Sequence, residues 1–261
     1  MKKYGVVILA AGDATRLQMD IPKGLIEVHN SSLLKRILEK CPKNVAIMTS
    51  KKNHKKIEEH VLSLQLEGKQ ITFFSQKSAL IEGLDKESPI GNGDLFRAFY
   101  ASSSYQNFLN NQVERVVVCP VDNPLCQPDF PYLQGGAELI VLGVKKRSAS
   151  ESVGTVILGD KLSVKEYTEE KSGLGLAYTG IFSATIDFFK RAAHMDSMVK
   201  SHLIEKIHDG KKVAKQEKFV FDFFPLAKSY EVVEVHRQSH FCPIKRAFGE
   251  DSLEEALRIL Q

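Results

Sequence analysis

The stretch Tyr4-Gly5-Val6-Val7-Ile8-Leu9-Ala10-Ala11-Gly12-Asp13-Ala14-Thr15-Arg16 decides how the rest of the chain is read. Tyr4–Leu9, rich in Val and Ile, is a buried strand. The small residues after it let backbone N–H groups approach an anion closely. Met1–Ala11 has two lysines and then a short apolar stretch, as a secretory signal does, but the β-branched content and the turn directly behind it favour a strand. Taken alone, the turn is equally an ordinary tight strand–helix connection. Neither G-x-G-x-x-G nor the Walker pattern is present, which weakens dinucleotide and P-loop readings. Ile21-Pro22-Lys23-Gly24 follows. Its proline stiffens the segment and Lys23 could reach back to the same phosphates, although most lysines are merely solvated.

Around this stretch lie 261 residues with 36 Lys+Arg against 32 Asp+Glu, a net charge of +4. An apolar fraction of 43% and a charged fraction of 26% exclude collagenous, low-complexity and disordered classes. The charge balance is too weak to imply nucleic acid; the densest basic cluster, Lys51, Lys52, Lys55 and Lys56, reads as a solvated helix face. No apolar run approaches a membrane span. Cys41, Cys119, Cys126 and Cys242 lack zinc spacing and fit free thiols in a reducing cytoplasm, with Cys119 a small buried hydrophobe.

Tyr4–Leu9, Val45–Thr49, Ile71–Ser75, Arg115–Val121 and Leu139–Val144 read as strands. Ser32–Cys41, His54–Leu66 and Asp94–Leu109 carry apolar residues at helical spacing. This alternation predicts an α/β fold: a mostly parallel mixed sheet flanked by helices, with ligands beyond the strands' carboxyl ends. After residue 150, Val153–Leu158, Leu162–Tyr167 and Leu176–Ser183 suggest a mixed or antiparallel extension. Asp187–Ala193 and Ser197–His208 then read as helices, Phe219–Ala227 as an apolar segment, Tyr230–Val235 as a strand and Ser252–Leu260 as a terminal helix. Without a linker, one domain over 1–261 is favoured.

Asp122 closes the run Val116–Val121, where a carboxylate is well placed to hold Mg²⁺; Asp122-Asn123-Pro124 is also a plausible self-capping turn. Gly91-Asn92-Gly93-Asp94 permits close backbone approach, and Asn92 offers both donor and acceptor to a sugar or base; singly, it is a helix-entry loop. Phe241-Cys242-Pro243-Ile244-Lys245 places another lysine behind a proline. The eight histidines show no catalytic spacing.

Together these pieces resemble the sugar-nucleotide pyrophosphorylases, with the opening signature L-x-x-G-x-G-T-R-L and P-K-G downstream. The likeness is strongest to eukaryotic-type UDP-N-acetylglucosamine pyrophosphorylases. It extends through Ile47–Ser50, Phe73–Gln76, Leu95–Ala98, Val121–Asn123, Val153-Gly154, Glu166-Tyr167, Lys218–Asp222 and Pro243–Lys245, in family order over nearly the whole chain. The resemblance implies a Rossmann-like, GT-A-like nucleotidyltransferase core. Residues 1–150 would form a nucleotide-binding half and 151–261 a sugar-binding half. It implies UTP plus a sugar 1-phosphate giving UDP-sugar and pyrophosphate, with Mg²⁺. Carried over, Ala11 and Gly12 approach the nucleotide, Gln76 and Gly91 contact uracil, and Arg16 and Lys23 hold the β/γ-phosphates. Asp122 holds Mg²⁺, Lys245 lies near the α-phosphorus, and Asn92, Gly154 and Glu166 face the sugar. A sugar phosphate is already a nucleophile, so no general base is required.

Departures from the pattern are Ala14 and Gln18 at usual glycine positions, Ile90 for an acidic residue, and Ala177-Tyr178-Thr179-Gly180-Ile181 in place of an Asn-Ala-Gly-Asn run. They leave the sugar open, with glucose 1-phosphate the alternative to N-acetylglucosamine 1-phosphate. They also leave room for a non-catalytic nucleotide-binding protein on the same fold. A cytidylyltransferase shares the opening turn but fits the later motifs poorly.

Overall fold

The computed structural model describes residues 3–80, 87–166, 175–208 and 211–260. Its principal strands are β1 (Tyr4–Leu9), β2 (Asn44–Thr49), β3 (Gln70–Ser75), β4 (Arg115–Pro120), β5 (Leu139–Lys145), β6 (Thr155–Ile157), β7 (Ser163–Lys165), β8 (Leu176–Thr185), β9 (His202–His208), β10 (Lys211–Glu217) and β11 (Tyr230–Glu234). All but β9 and β10 join one nine-stranded sheet.

In this sheet β3, β2, β1 and β4 run parallel, with Val6 opposite both Val45 and Val117. Next to β4 lies β8, antiparallel to it through Phe182–Thr185. β8 also pairs antiparallel with β5, which carries β11 parallel on its far side; β6 and β7 extend from the amino-terminal half of β8. The Val/Ile runs arise because the central strands are buried on both faces. Val7 faces one core cluster, rich in phenylalanines such as Phe96, Phe99, Phe182 and Phe189, whereas Val6 and Ile8 face a second, aliphatic one. In the absence of tryptophan, the phenylalanines fill the larger volumes.

Helices α1 (Leu33–Lys40), α2 (His54–Ser63), α3 (Leu95–Tyr100), α4 (Ser103–Asn110) and α5 (Ile186–His194) cover the sheet. Ser32 caps α1 by accepting from Lys35 N at 3.1 Å, and Thr185 caps α5 by accepting from Phe188 N at 3.2 Å.

The helix expected over Asp94–Leu109 is two, α3 and α4. Extended Ser102 separates them, its hydroxyl donating to Phe99 O at 2.7 Å in competition with the helical ladder. The helix expected over Ser197–His208 is a correction: a 3₁₀ turn at Asp196–Met198 is followed by strand β9. β9 pairs with β10 residue for residue, and Asp209-Gly210 lies outside the described residues. Phe219–Ala227 contains a 3₁₀ helix over Val220–Leu226. Of the strand expected over Leu162–Tyr167, Ser163–Lys165 is formed and Tyr167 lies outside the described residues. No helix among the described residues is long and apolar enough to cross a membrane.

Candidate active site

Parallel strands end at one edge, so the loops after β1, β2, β3 and β4 converge there. They wall a cleft of about 820 Å³ lined by Ala11, Gly12, Lys23, Ser50, Gln76, Gly91, Asn92 and Asp122, among others. A second lobe of about 710 Å³ is lined by Arg16, Gly154, Glu166, Tyr178, Lys245 and Arg246, among others. The lobes share Asn92, Pro120, Asp122, Glu217 and Phe219, which makes them one trough with Asp122 at the junction.

Backbone bonds zip the opening turn to the Pro-Lys-Gly segment: Ala14 N to Ile21 O at 2.9 Å and Lys23 N to Gly12 O at 3.0 Å. Lys23 Nζ thereby lies 2.9 Å from Asp122 Oδ2, bridging the turn to the end of β4. A Cβ on Gly12 would meet only Lys23 Cδ, at 3.9 Å. The unusual Ala14 is fully buried with Leu17, Ile26 and Leu33, so its methyl packs into the protein. Gln18 adopts φ 57°, the left-handed conformation that glycine takes without strain.

Gly91 and Gly93 have a different basis. Gly91 takes φ 101°, and a Cβ there would strike the Lys218 carbonyl oxygen; one on Gly93 would lie 2.8 Å from Lys218 C. Gly93 N donates to Lys218 O at 2.9 Å, and Asn92 Oδ1 accepts from Val220 N at 3.1 Å. These glycines therefore seat the Lys218–Asp222 segment. Within it, Asp222 accepts from Phe219 N at 2.7 Å and pairs with His202 Nε2 at 2.8 Å. Buried Asp94 ties this loop to the segment after β3 by accepting from Lys77 N at 2.7 Å.

The other side is organised by Asn123, which is fully buried. Its side chain donates to His240 O at 2.7 Å and accepts from Cys242 N at 3.1 Å and Leu125 N at 3.3 Å. Ile244 N donates to Asp122 O at 2.8 Å. The lysine behind Pro243 is thus fixed relative to Asp122, and Lys245 Nζ itself bonds Asp251 Oδ2 at 2.9 Å and Ser152 O at 3.2 Å. The altered run lies on a bulge of β8, with Gly180 at φ 82°. Thr179 Oγ1 donates to Leu142 O at 2.9 Å and Ile181 is fully buried. Tyr178 packs edge-on against Phe221 and Phe224, and its buried hydroxyl has no hydrogen-bond partner among the described residues; burial pushes its pKa up.

A family model for UTP–glucose-1-phosphate uridylyltransferase matches residues 1–173. The Encephalitozoon cuniculi protein named "Probable UDP-N-acetylglucosamine pyrophosphorylase" is 30% identical over 96% of this chain and 82% of its own length. The chain belongs to the UDP-sugar pyrophosphorylase family, in its eukaryotic UDP-N-acetylglucosamine branch. UDP-N-acetylglucosamine diphosphorylase 2 of Arabidopsis thaliana is 27% identical over 99% of this chain, which spans 64% of that relative. The fold matches the crystal structure of the Trypanosoma brucei UDP-N-acetylglucosamine pyrophosphorylase in complex with inhibitor. That match has a TM-score of 0.86 at 23% identity and covers 99% of this chain and 65% of the other.

In this pyrophosphorylase fold all eleven residues singled out from sequence line the trough. Ala11, Gly12, Lys23, Gln76 and Gly91 lie in the first lobe, and Arg16, Gly154, Glu166 and Lys245 in the second; Asn92 and Asp122 border both. Gly154 also has a packing reason, since a Cβ would come within 2.8 Å of Val164. Sequence reasoning missed several lining residues. Lys51 and Lys52, expected on a solvated helix face, precede α2 and line the first lobe. Lys215, Glu217 and Phe219 enter from β10 and its continuation, where no strand was expected; Arg246 directly follows Lys245.

The donor set bears on a metal. Among the described residues no group of three or more His, Cys, Asp or Glu side chains could hold an ion. Asp122 stands as a carboxylate at the lobe junction beside Lys23. That fits Mg²⁺, which commonly takes one or two carboxylates and completes its shell with substrate phosphates and water.

Proposed function

We propose that this chain is a uridylyltransferase that joins UTP to a sugar 1-phosphate, N-acetylglucosamine 1-phosphate foremost, releasing pyrophosphate. The observation that carries the reading is the Lys23–Asp122 pair at 2.9 Å where the two lobes meet. Residues 1–150 would serve the nucleotide and 151–261 the sugar phosphate. Ala11 and Gly12 bring main chain to the nucleotide, and Gln76 with the Gly91 backbone borders uracil. Lys23, with Arg16 reaching from the adjoining lobe, offsets the β/γ-phosphate charge. Lys245 steadies phosphate near the α-phosphorus, and Asn92, Gly154 and Glu166 border the sugar.

The sugar phosphate oxygen attacks the α-phosphorus in line as the bond to pyrophosphate breaks, and no side chain must remove a proton. The residues' work is to hold two anions together and oppose the charge growing on the leaving group. Mg²⁺ held by Asp122 would supply further charge neutralisation there. The buried free thiols are consistent with a reducing cytoplasm.

One observation favours glucose 1-phosphate as a second substrate: the β8 bulge offers a spent threonine hydroxyl and a buried isoleucine where the family resemblance implies asparagine amides. The test incubates the protein with Mg²⁺, UTP or CTP, and each of the two sugar phosphates, and follows pyrophosphate. Release with UTP and little with CTP is expected. UTP binding without release from any sugar phosphate would instead support a non-catalytic nucleotide-binding protein.

A further inference from the structure

Asp13 sets a carboxylate in a turn that faces phosphates. Its Oδ2 lies 2.9 Å from Nζ of Lys52, on the loop after the neighbouring strand β2, and its Oδ1 lies 3.5 Å from Asn53 Nδ2. Asn53 is 1% exposed and anchors the turn from the same side, donating to Ala10 O at 3.1 Å. Lys52 is different: its side chain is 66% exposed, and its second carboxylate neighbour, Asp20 at 3.6 Å, is 93% exposed. An ammonium group has three N–H donors, so one bond to Asp13 leaves others for a ligand in the cleft. Lys23 already holds the inner end of the lobe, against Asp122. The two lysines thus flank the opening turn from different walls, both bordering the same volume.

Resting on the uridylyltransferase reading, we propose that Lys52 is a phosphate-positioning residue for UTP, held over the turn by Asp13. Asp13 keeps one ammonium N–H while the outer phosphates of UTP take another. Lys52 also cancels the repulsion that the Asp13 carboxylate would otherwise exert on a triphosphate. Loss of Lys52 therefore removes an attraction and uncovers a repulsion. Removing the Asp13 charge as well should relieve the second effect.

The test measures UTP affinity by calorimetry with Mg²⁺, and steady-state pyrophosphate release, for wild type, Lys52→Ala, Lys52→Arg and Lys52→Ala/Asp13→Asn. Lys52→Ala should weaken UTP binding and raise the UTP KM about tenfold, with kcat within about threefold and the sugar-phosphate KM unchanged. Lys52→Arg should stay within about threefold of wild type. The double variant should recover part of the lost affinity, and the Lys52→Ala deficit should shrink in high salt. UTP affinity within about twofold of wild type in folded Lys52→Ala overturns the proposal, as does a double variant no better than the single one. A wild type that binds UTP more tightly than Lys52→Ala but releases no pyrophosphate upholds the clamp and sinks the transferase reading. A wild type that binds no UTP overturns both.

Discussion

At the first lobe of the trough, four parallel strands deliver their loops to one edge, and the wall combines small residues such as Ala11 and Gly12 with polar ones such as Lys23, Lys52 and Gln76. At the second lobe, β7 and the bulged β8 run against that grain with β6 between them, and the wall carries bulky side chains such as Tyr178, Phe219, Phe221 and Lys245. Departures from the family pattern are absorbed on the first side and alter the second. Ala14 turns its methyl into the core and Gln18 accepts a left-handed φ, so the turn keeps its path. On β8, by contrast, the replacements spend a hydroxyl on the backbone and leave another buried without a partner among the described residues.

The sharpest test of where the sides meet is the junction itself. Lys23→Ala and Asp122→Ala should each lower kcat by about 10²–10³-fold, read as initial rates of pyrophosphate release. Two glycines then separate ligand approach from chain approach. Gly91→Ala should destabilise the fold by about 1–3 kcal/mol in denaturant melts, because its φ is positive and the Lys218 carbonyl occupies the space. Gly12→Ala should leave stability within about 0.5 kcal/mol of wild type while raising the UTP KM, since its missing methyl faces open space. Equal destabilisation by both would erase the distinction. Asn123→Ala leaves His240 O and Cys242 N without their partner and should cost about 1–3 kcal/mol, with kcat lowered through a loosened Lys245 loop. The smallest effect is Gln18→Gly, which should change stability by less than about 1 kcal/mol, strain relief being partly offset by chain entropy.

Much of the parallel sheet was legible because strands buried on both faces need unbroken Val/Ile runs, as Val6–Ile8 and Val116–Val118 display. The β9–β10 hairpin was not, because each strand is fixed by pairing with the other, while His202–His208 alone suits a helix or a strand. At the site, Lys23 and Lys245 were found through the prolines before them. Lys52 was hidden because nothing local tells a lysine turned into a cleft from Lys55 or Lys56 on the following helix. The glycines of Gly91–Gly93 were correctly marked as a close approach, but the group approaching is this chain's own Lys218. Asn123 was read as a turn former, and it is; its bonds to His240 and Cys242, which fix the Lys245 loop, depend on residues more than a hundred positions away.

The most direct measurement of the central claim is a double-mutant cycle on Lys23 and Asp122, read as kcat for pyrophosphate release from UTP and N-acetylglucosamine 1-phosphate. If the pair works as one charge cluster between the lobes, Lys23→Ala/Asp122→Ala should be no more than about threefold slower than the slower single variant. Losses that multiply, or single variants that turn over at nearly wild-type rates, would contradict it.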